Sequence, residues 1–85
     1  MTETKTLVEA ALFIAGRPLA FSELAELTRA SKEDVEKALS ELSSEYSARS
    51  SAVEVLVNKK GGAMRLRPEL EGDVMLLAQI GRAHV

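Results

Sequence analysis

Leu7-Val8-Glu9-Ala10-Ala11-Leu12-Phe13-Ile14-Ala15-Gly16-Arg17-Pro18-Leu19, followed at once by Phe21-Ser22-Glu23-Leu24-Ala25-Glu26-Leu27, reads as a helix, a hard stop and a second helix. Gly16 suits the left-handed position just past a helix end, and Pro18 cannot continue the spiral. At about 100° per residue, the first helix, residues 4–15, gathers Leu7, Ala11 and Ile14 on one face, with Val8, Leu12 and Ala15 widening the stripe. Phe13 falls outside that stripe, beside Thr6 and Glu9, where a monomer would place a polar group. Another element of the domain could cover it, or a partner could.

Working outward, the second helix spans residues 22–28, with Ser22 as N-cap and Leu24 and Leu27 turned inward. Ser31-Lys32-Glu33-Asp34 then opens a third helix as a capping-box variant, and Ala30 with Val35 forms a hydrophobic staple. Val35, Ala38, Leu39, Leu42 and Tyr46 follow at helical spacing, so this helix runs to about residue 48. After Arg49-Ser50-Ser51 the period changes to alternation: Val53, Val55 and Val57 share one side of a strand. Asn58-Lys59-Lys60-Gly61-Gly62 supplies turn chemistry, and Met64 and Leu66 alternate with Arg65 and Arg67. Pro68 ends the second strand, and Leu70, Val74 and Leu77 mark a short closing helix from about Glu69. The expected fold is mainly α with a small β-hairpin (α+β): a winged helix-turn-helix of three helices, a two-stranded wing and a short C-terminal helix.

Composition bounds the rest. With 85 residues, 46% of them hydrophobic, the chain is long enough for one small core and no more. It contains no cysteine, which removes disulfides and thiolate metal sites. There is no basic-then-apolar leader and no apolar run near ~18 residues, so the expectation is a cytoplasmic chain without membrane contact. Ile80-Gly81-Arg82-Ala83-His84-Val85 breaks the apolar helix pattern and is expected to be a non-native tail, with the winged-helix domain ending at residue 79. His84, the sole histidine, therefore receives no role.

Charge is uneven. Residues 1–50 carry six basic and nine acidic side chains, residues 51–85 five and four. The third helix holds Glu33, Asp34, Glu36, Glu41 and Glu45 against Lys32 and Lys37, and its outward positions offer mainly Glu33, Lys37, Ser40 and Ser44. Base readout needs Arg, Lys, Asn or Gln there, each good bidentate pair supplying about 1–3 kcal/mol of discrimination. Sequence-specific major-groove binding is thus disfavoured. Lys59, Lys60, Arg65 and Arg67, on the wing, could hold phosphates weakly and without specificity; the plainer reading is a solvated hairpin whose lysines protect an edge strand.

Catalytic chemistry finds little support. Glu33 with Lys37, and Glu41 with Glu45, stand one helical turn apart, but no oxygen-rich loop and no apolar pocket accompanies them to bind a cation or raise a pKa. The serines Ser40, Ser43, Ser44, Ser47, Ser50 and Ser51 lack a positioned base, and Lys60-Gly61-Gly62 lacks the spacing of a phosphate loop. No catalytic, cofactor-binding or metal-ligating residue is expected. Phe13, Arg17, Leu19 and Phe21 combine apolar area with a polar rim and are the candidate protein interface, although Leu19 and Phe21 could equally fill the core beneath the second helix.

Three segments together resemble the segregation and condensation protein B (ScpB) family: Glu9-Ala10-Ala11-Leu12-Phe13-Ile14-Ala15-Gly16-Arg17-Pro18-Leu19, the 31–46 helix with Leu39, Leu42 and Glu45-Tyr46, and Arg65-Leu66-Arg67-Pro68-Glu69-Leu70. The resemblance covers roughly residues 4–79, and the first segment is its most specific part. It implies a non-catalytic accessory subunit that works with a kleisin (ScpA-like) and an SMC ATPase in chromosome condensation and partition, nucleoid-associated through that complex. It also implies two winged-helix domains in tandem, the N-terminal one mediating homodimerisation and the C-terminal one taking much of the kleisin contact. Only the first is expected in this chain, so kleisin-contact residues are not assigned. A winged-helix transcriptional regulator is the alternative, disfavoured by the acidic third helix.

Overall fold

The computed structural model describes residues 3–70 and residue 72. Along the chain run α1 (Thr4–Ala15), β1 (Leu19–Ala20), α2 (Phe21–Thr28), α3 (Lys32–Ala48), β2 (Val53–Val57) and β3 (Gly61–Leu66). Residues 68–70 and 72 are helical, so the closing helix starts at Pro68, one residue before the expected Glu69; proline suits the first helical position. Val74, Leu77 and the 80–85 tail lie outside the described residues. The helices and antiparallel sheet form a winged helix.

Each helix end has a local cause. Gly16 sits at φ 62°, and its N–H returns to the Leu12 carbonyl at 3.2 Å, closing α1 in the left-handed cap. The Ser31 hydroxyl accepts the Asp34 N–H at 3.1 Å and opens α3 as expected. α2 starts one residue earlier than its serine suggested: Ala20 is the N-cap, and the Glu23 carboxylate accepts the Ala20 N–H at 3.1 Å. Ala20 has no side-chain oxygen, so only the glutamate half of a capping box operates here.

α3 is the spine of the core. Val35, Ala38, Leu39 and Leu42 are buried on one face of it, against Val8 and Leu12 of α1, Phe21 and Leu24 of α2, Leu19 of β1 and Val55 of β2. The expected inward stripe of α1 needs correction: Val8 and Leu12 are buried, whereas Leu7 is 37% and Ile14 82% exposed. Leu27 of α2, also expected inside, is 63% exposed. α1 is apolar around most of its circumference, so periodicity alone leaves its inward direction open; packing against α3 chooses it.

The two-stranded wing is present as β2 and β3, and the sheet extends beyond it. β1 joins the hairpin, giving three antiparallel strands in the order β1-β3-β2. Leu19 pairs with Gly62 and Ala20 with Gly61, and the Phe21 N–H donates to the Lys60 carbonyl at 2.8 Å. Both glycines, expected in the turn, are buried residues of β3. A Cβ on Gly61 would lie 1.9 Å from the Leu19 carbonyl oxygen, and one on Gly62 would lie 2.6 Å from a Leu39 methyl. Side-chain-free backbone is therefore what lets β1 and α3 approach β3. The turn itself contracts to Asn58-Lys59-Lys60, where the Asn58 side-chain oxygen accepts the Lys60 and Gly61 N–H groups at 2.8 and 2.9 Å.

The far end of the sheet is tied to α3 by Arg67. Its guanidinium donates to the Tyr46 and Arg49 carbonyls, both at 2.9 Å, satisfying acceptors at the C-terminus of α3. Tyr46 in turn donates its hydroxyl to the Glu9 carboxylate, and Lys5 pairs with Glu45, so α1 is laced to α3 along the same edge. The Glu9 hydrogen bond, reinforced by burial, raises the Tyr46 phenol above its ordinary pKa.

Two variants test these joints. Gly61→Ala forces β1 away from β3, and overpacking of this kind costs about 1–3 kcal/mol; at roughly 4–8 °C per kcal/mol for a domain this small, thermal melting should fall by several degrees or more. Arg67→Gln removes the charge-assisted bonds to α3 and should cost about 2 kcal/mol in urea unfolding, whereas Arg65→Gln, which loses only an exposed pair with Glu54, should cost less than ~1 kcal/mol.

Candidate functional site

Opposite the buried Val8 and Leu12, α1 turns Ala10, Phe13 and Ile14 outward, with Leu7 at the margin. Phe13 is 77% exposed, so no described element of the domain covers it. Fully burying a side chain of this size is worth about 1.5–3 kcal/mol, and here that free energy is left unrealised at two adjacent residues. α1 is thus apolar on both its inner and its outer face.

Two hollows flank this ridge. On one side Ala11, Ile14 and Ala15 face Leu19 and Leu27 across an open groove of about 560 Å³ between α1 and α2, rimmed by Arg17, Glu23 and Glu26. On the other, a shallower hollow of about 260 Å³ lies between Phe13, Ala10 and Met64, with Thr6, Glu9 and Tyr46 at its edge. The larger groove is apolar at its floor and charged at its rim, a composition found at protein interfaces.

The four residues proposed from sequence as an interface separate. Phe13 is on the surface. Arg17 is exposed but engaged, donating to Glu23 and to the Pro18 carbonyl, both at 3.0 Å. The Glu23 carboxyl is held below its ordinary pKa chiefly by the Ala20 N–H and then by Arg17. Leu19 and Phe21 are buried, at 3% and 9% exposure, and their side chains belong to the core rather than to a surface. Ile14 and Leu27, which periodicity assigned to the core, are exposed instead. The available signal was the breadth of the α1 stripe: it holds too many apolar residues for one buried face.

The four basic residues of the wing separate too. Arg65 pairs across the strands with Glu54 at 2.8 Å, and Arg67 is committed to the end of α3. Neither offers a free cation. Lys59 and Lys60 remain exposed at the hairpin tip. On α3, Glu33, Asp34, Glu36, Ser40 and Ser44 are exposed, so the surface that reads bases in a DNA-binding winged helix is mainly acidic here. Among the described residues, no three His, Cys, Asp or Glu side chains gather as a metal site, and no helix is long and apolar enough to cross a membrane.

Comparison with known proteins adds an independent line. A ScpB crystal structure from Mycobacterium tuberculosis superimposes with a TM-score of 0.81 at 24% identity, covering 93% of this chain and 49% of that one. A dimer of an ScpB N-terminal domain complexed with an ScpA peptide matches at 0.75 and 22% identity, over 86% of this chain and 91% of that one. A conserved hypothetical protein from Chlorobium tepidum matches at 0.70 and 21% identity, over 87% and 47%. These likenesses show the fold. The chain spans about half the length of the Mycobacterium and Chlorobium proteins. No curated protein matches it in sequence. The sequence profile of the segregation and condensation complex subunit ScpB matches residues 6–84, nearly the whole chain, and with the winged-helix fold this places the chain in the ScpB family.

Proposed function

We propose that this chain is the N-terminal winged-helix unit, residues 1–79, of a non-catalytic accessory subunit in a prokaryotic SMC-kleisin complex for chromosome condensation and segregation. It acts in the cytoplasm by homodimerisation and by protein contacts, with a kleisin of the ScpA type and an SMC ATPase as its partners. The observation that carries this reading is the outward face of α1, where Phe13 and Ile14 stand exposed beside Ala10. A second copy of the chain supplies a cover of matching chemistry. Two-fold pairing needs a self-complementary patch, and a ridge of Phe13 beside an apolar groove provides both halves on one surface. An ScpB N-terminal domain of which this chain covers 91% forms a dimer complexed with an ScpA peptide, which supports the same arrangement here.

The acidic outward face of α3 speaks against the transcriptional-regulator alternative, because carboxylates at Glu33 and Glu36 repel the phosphates that flank a major groove. No step in this function calls for a catalytic residue or a cofactor.

Sedimentation velocity tests the reading. The chain should sediment as a dimer at micromolar concentration, and Phe13→Glu, which puts a carboxylate into the apolar contact, should weaken the dimer at least about tenfold, equal to ~1.4 kcal/mol. The fold should be unaffected, because Phe13 leaves the core untouched. A Phe13→Glu chain that dimerises as tightly as the parent would overturn the assignment of this face.

A further inference from the structure

The hairpin tip, the start of α2 and the start of α3 enclose a hollow of about 350 Å³ lined by Ala20, Phe21, Ser22, Lys32, Lys59 and Lys60. Three lysines, Lys32 from α3 and Lys59 and Lys60 from the hairpin tip, line it, and no carboxylate is among the lining residues. The chain is otherwise acidic, with a net charge of −2, which makes this concentration of like charge a local feature rather than a general one. It shares no lining residue with either hollow beside α1.

The hollow is fixed in shape by the fold. The Phe21 N–H donates to the Lys60 carbonyl at 2.8 Å, which pins the hairpin tip to the first turn of α2. The Asn58 side chain caps the Lys60 and Gly61 amides and sets the turn that displays Lys59 and Lys60. Lys32 lies 5.7 Å over the Phe21 ring, a cation-π approach that holds its stem along the pocket wall; Glu36 stands 4.0 Å from its ammonium.

We infer that this hollow is an anion site for the phosphate backbone of duplex DNA, engaged without base readout. Its donors are lysine point charges and a serine hydroxyl, side chains that recur in backbone phosphate contacts. An acidic peptide would call for something different: arginine forks for bidentate carboxylate contacts and an exposed apolar anchor. Neither is present among the lining residues, since Phe21 is buried. The acids Glu33, Asp34 and Glu36 follow Lys32 along α3 and keep the duplex from settling a groove over that helix, so contact is confined to the backbone. Arg65 and Arg67, the other basic residues of the wing, do not line the hollow.

Fluorescence anisotropy with labelled duplexes of about 30 base pairs and unrelated sequence tests the site on the full 85-residue chain. If three phosphates are neutralised, the log-log salt slope should be about −2.7, and affinity should fall about 20-fold between 50 and 150 mM salt. The two duplexes should bind within about twofold of each other, because backbone contacts carry no sequence information. The triple variant K32Q, K59Q, K60Q should lose at least about tenfold in affinity, while K37Q, elsewhere on α3, should lose less than twofold. The pair K59Q, K60Q, confined to the exposed tip, gives the same readout without touching α3. Undiminished binding by both variants overturns the site; so does an absence of binding at 25 mM salt. Displacement of the duplex by polyglutamate at equal charge concentration would assign the hollow to acidic peptides instead.

Discussion

The contact between Leu39 and Gly62 is the joint on which the rest of the structure depends. Leu39 lies at the middle of the buried face of α3, and its methyls occupy the space that a side chain on Gly62 would fill. Because that space is open, the sheet closes down on α3, and Gly61 beside it admits the Leu19 carbonyl. One pair of glycines thereby connects three helices to three strands. Close packing makes such a joint sensitive, since a core at crystal-like density feels even one added methyl.

That joint positions both candidate surfaces. With β1 held on β3, the short link from α1 to α2 is fixed at both ends, and the Gly16 cap and Pro18 turn set how the two helices diverge. The groove lies between these two helices. On the other side of β1, the same pairing carries the hairpin tip to the start of α2 and assembles lysines that lie far apart in the sequence. The core thus spends the apolar residues of one α1 face and leaves those of the other for association, a division a small domain can sustain because surface apolar patches of modest size do not by themselves unfold it.

Electrostatics sorts the partners. The outward positions of α3 carry carboxylates, which withdraws the usual groove-reading surface of a winged helix from nucleic acid. Arg65 and Arg67 count as basic in the sequence but not as available charge, because Glu54 and the last carbonyls of α3 take them up. What remains is an apolar face on α1 and a compact cationic hollow at the hairpin tip, two surfaces of different chemistry on one small scaffold.

Much of this was legible from residue order. Helix ends at Gly16 and Ser31, the α3 stripe of Val35, Ala38, Leu39 and Leu42, the switch to alternation after Ser51 and the displaced position of Phe13 all follow from local geometry, in which each residue's role depends on its near neighbours. The third strand, the burial of Leu19 and Phe21, the exposure of Ile14 and Leu27 and the commitment of Arg67 did not. Those outcomes turn on contacts between segments tens of residues apart, such as Leu19 with Gly62 or Arg67 with Tyr46. Periodicity states that a helix has an apolar side; when nearly every side is apolar, only the partner it packs against decides which faces inward. The sequence by itself determined the three helices, the hairpin that follows them and the family to which they belong. Tertiary structure alone decided which apolar residues became core and which became surface, because burial is a property of the assembled layers and not of any one of them.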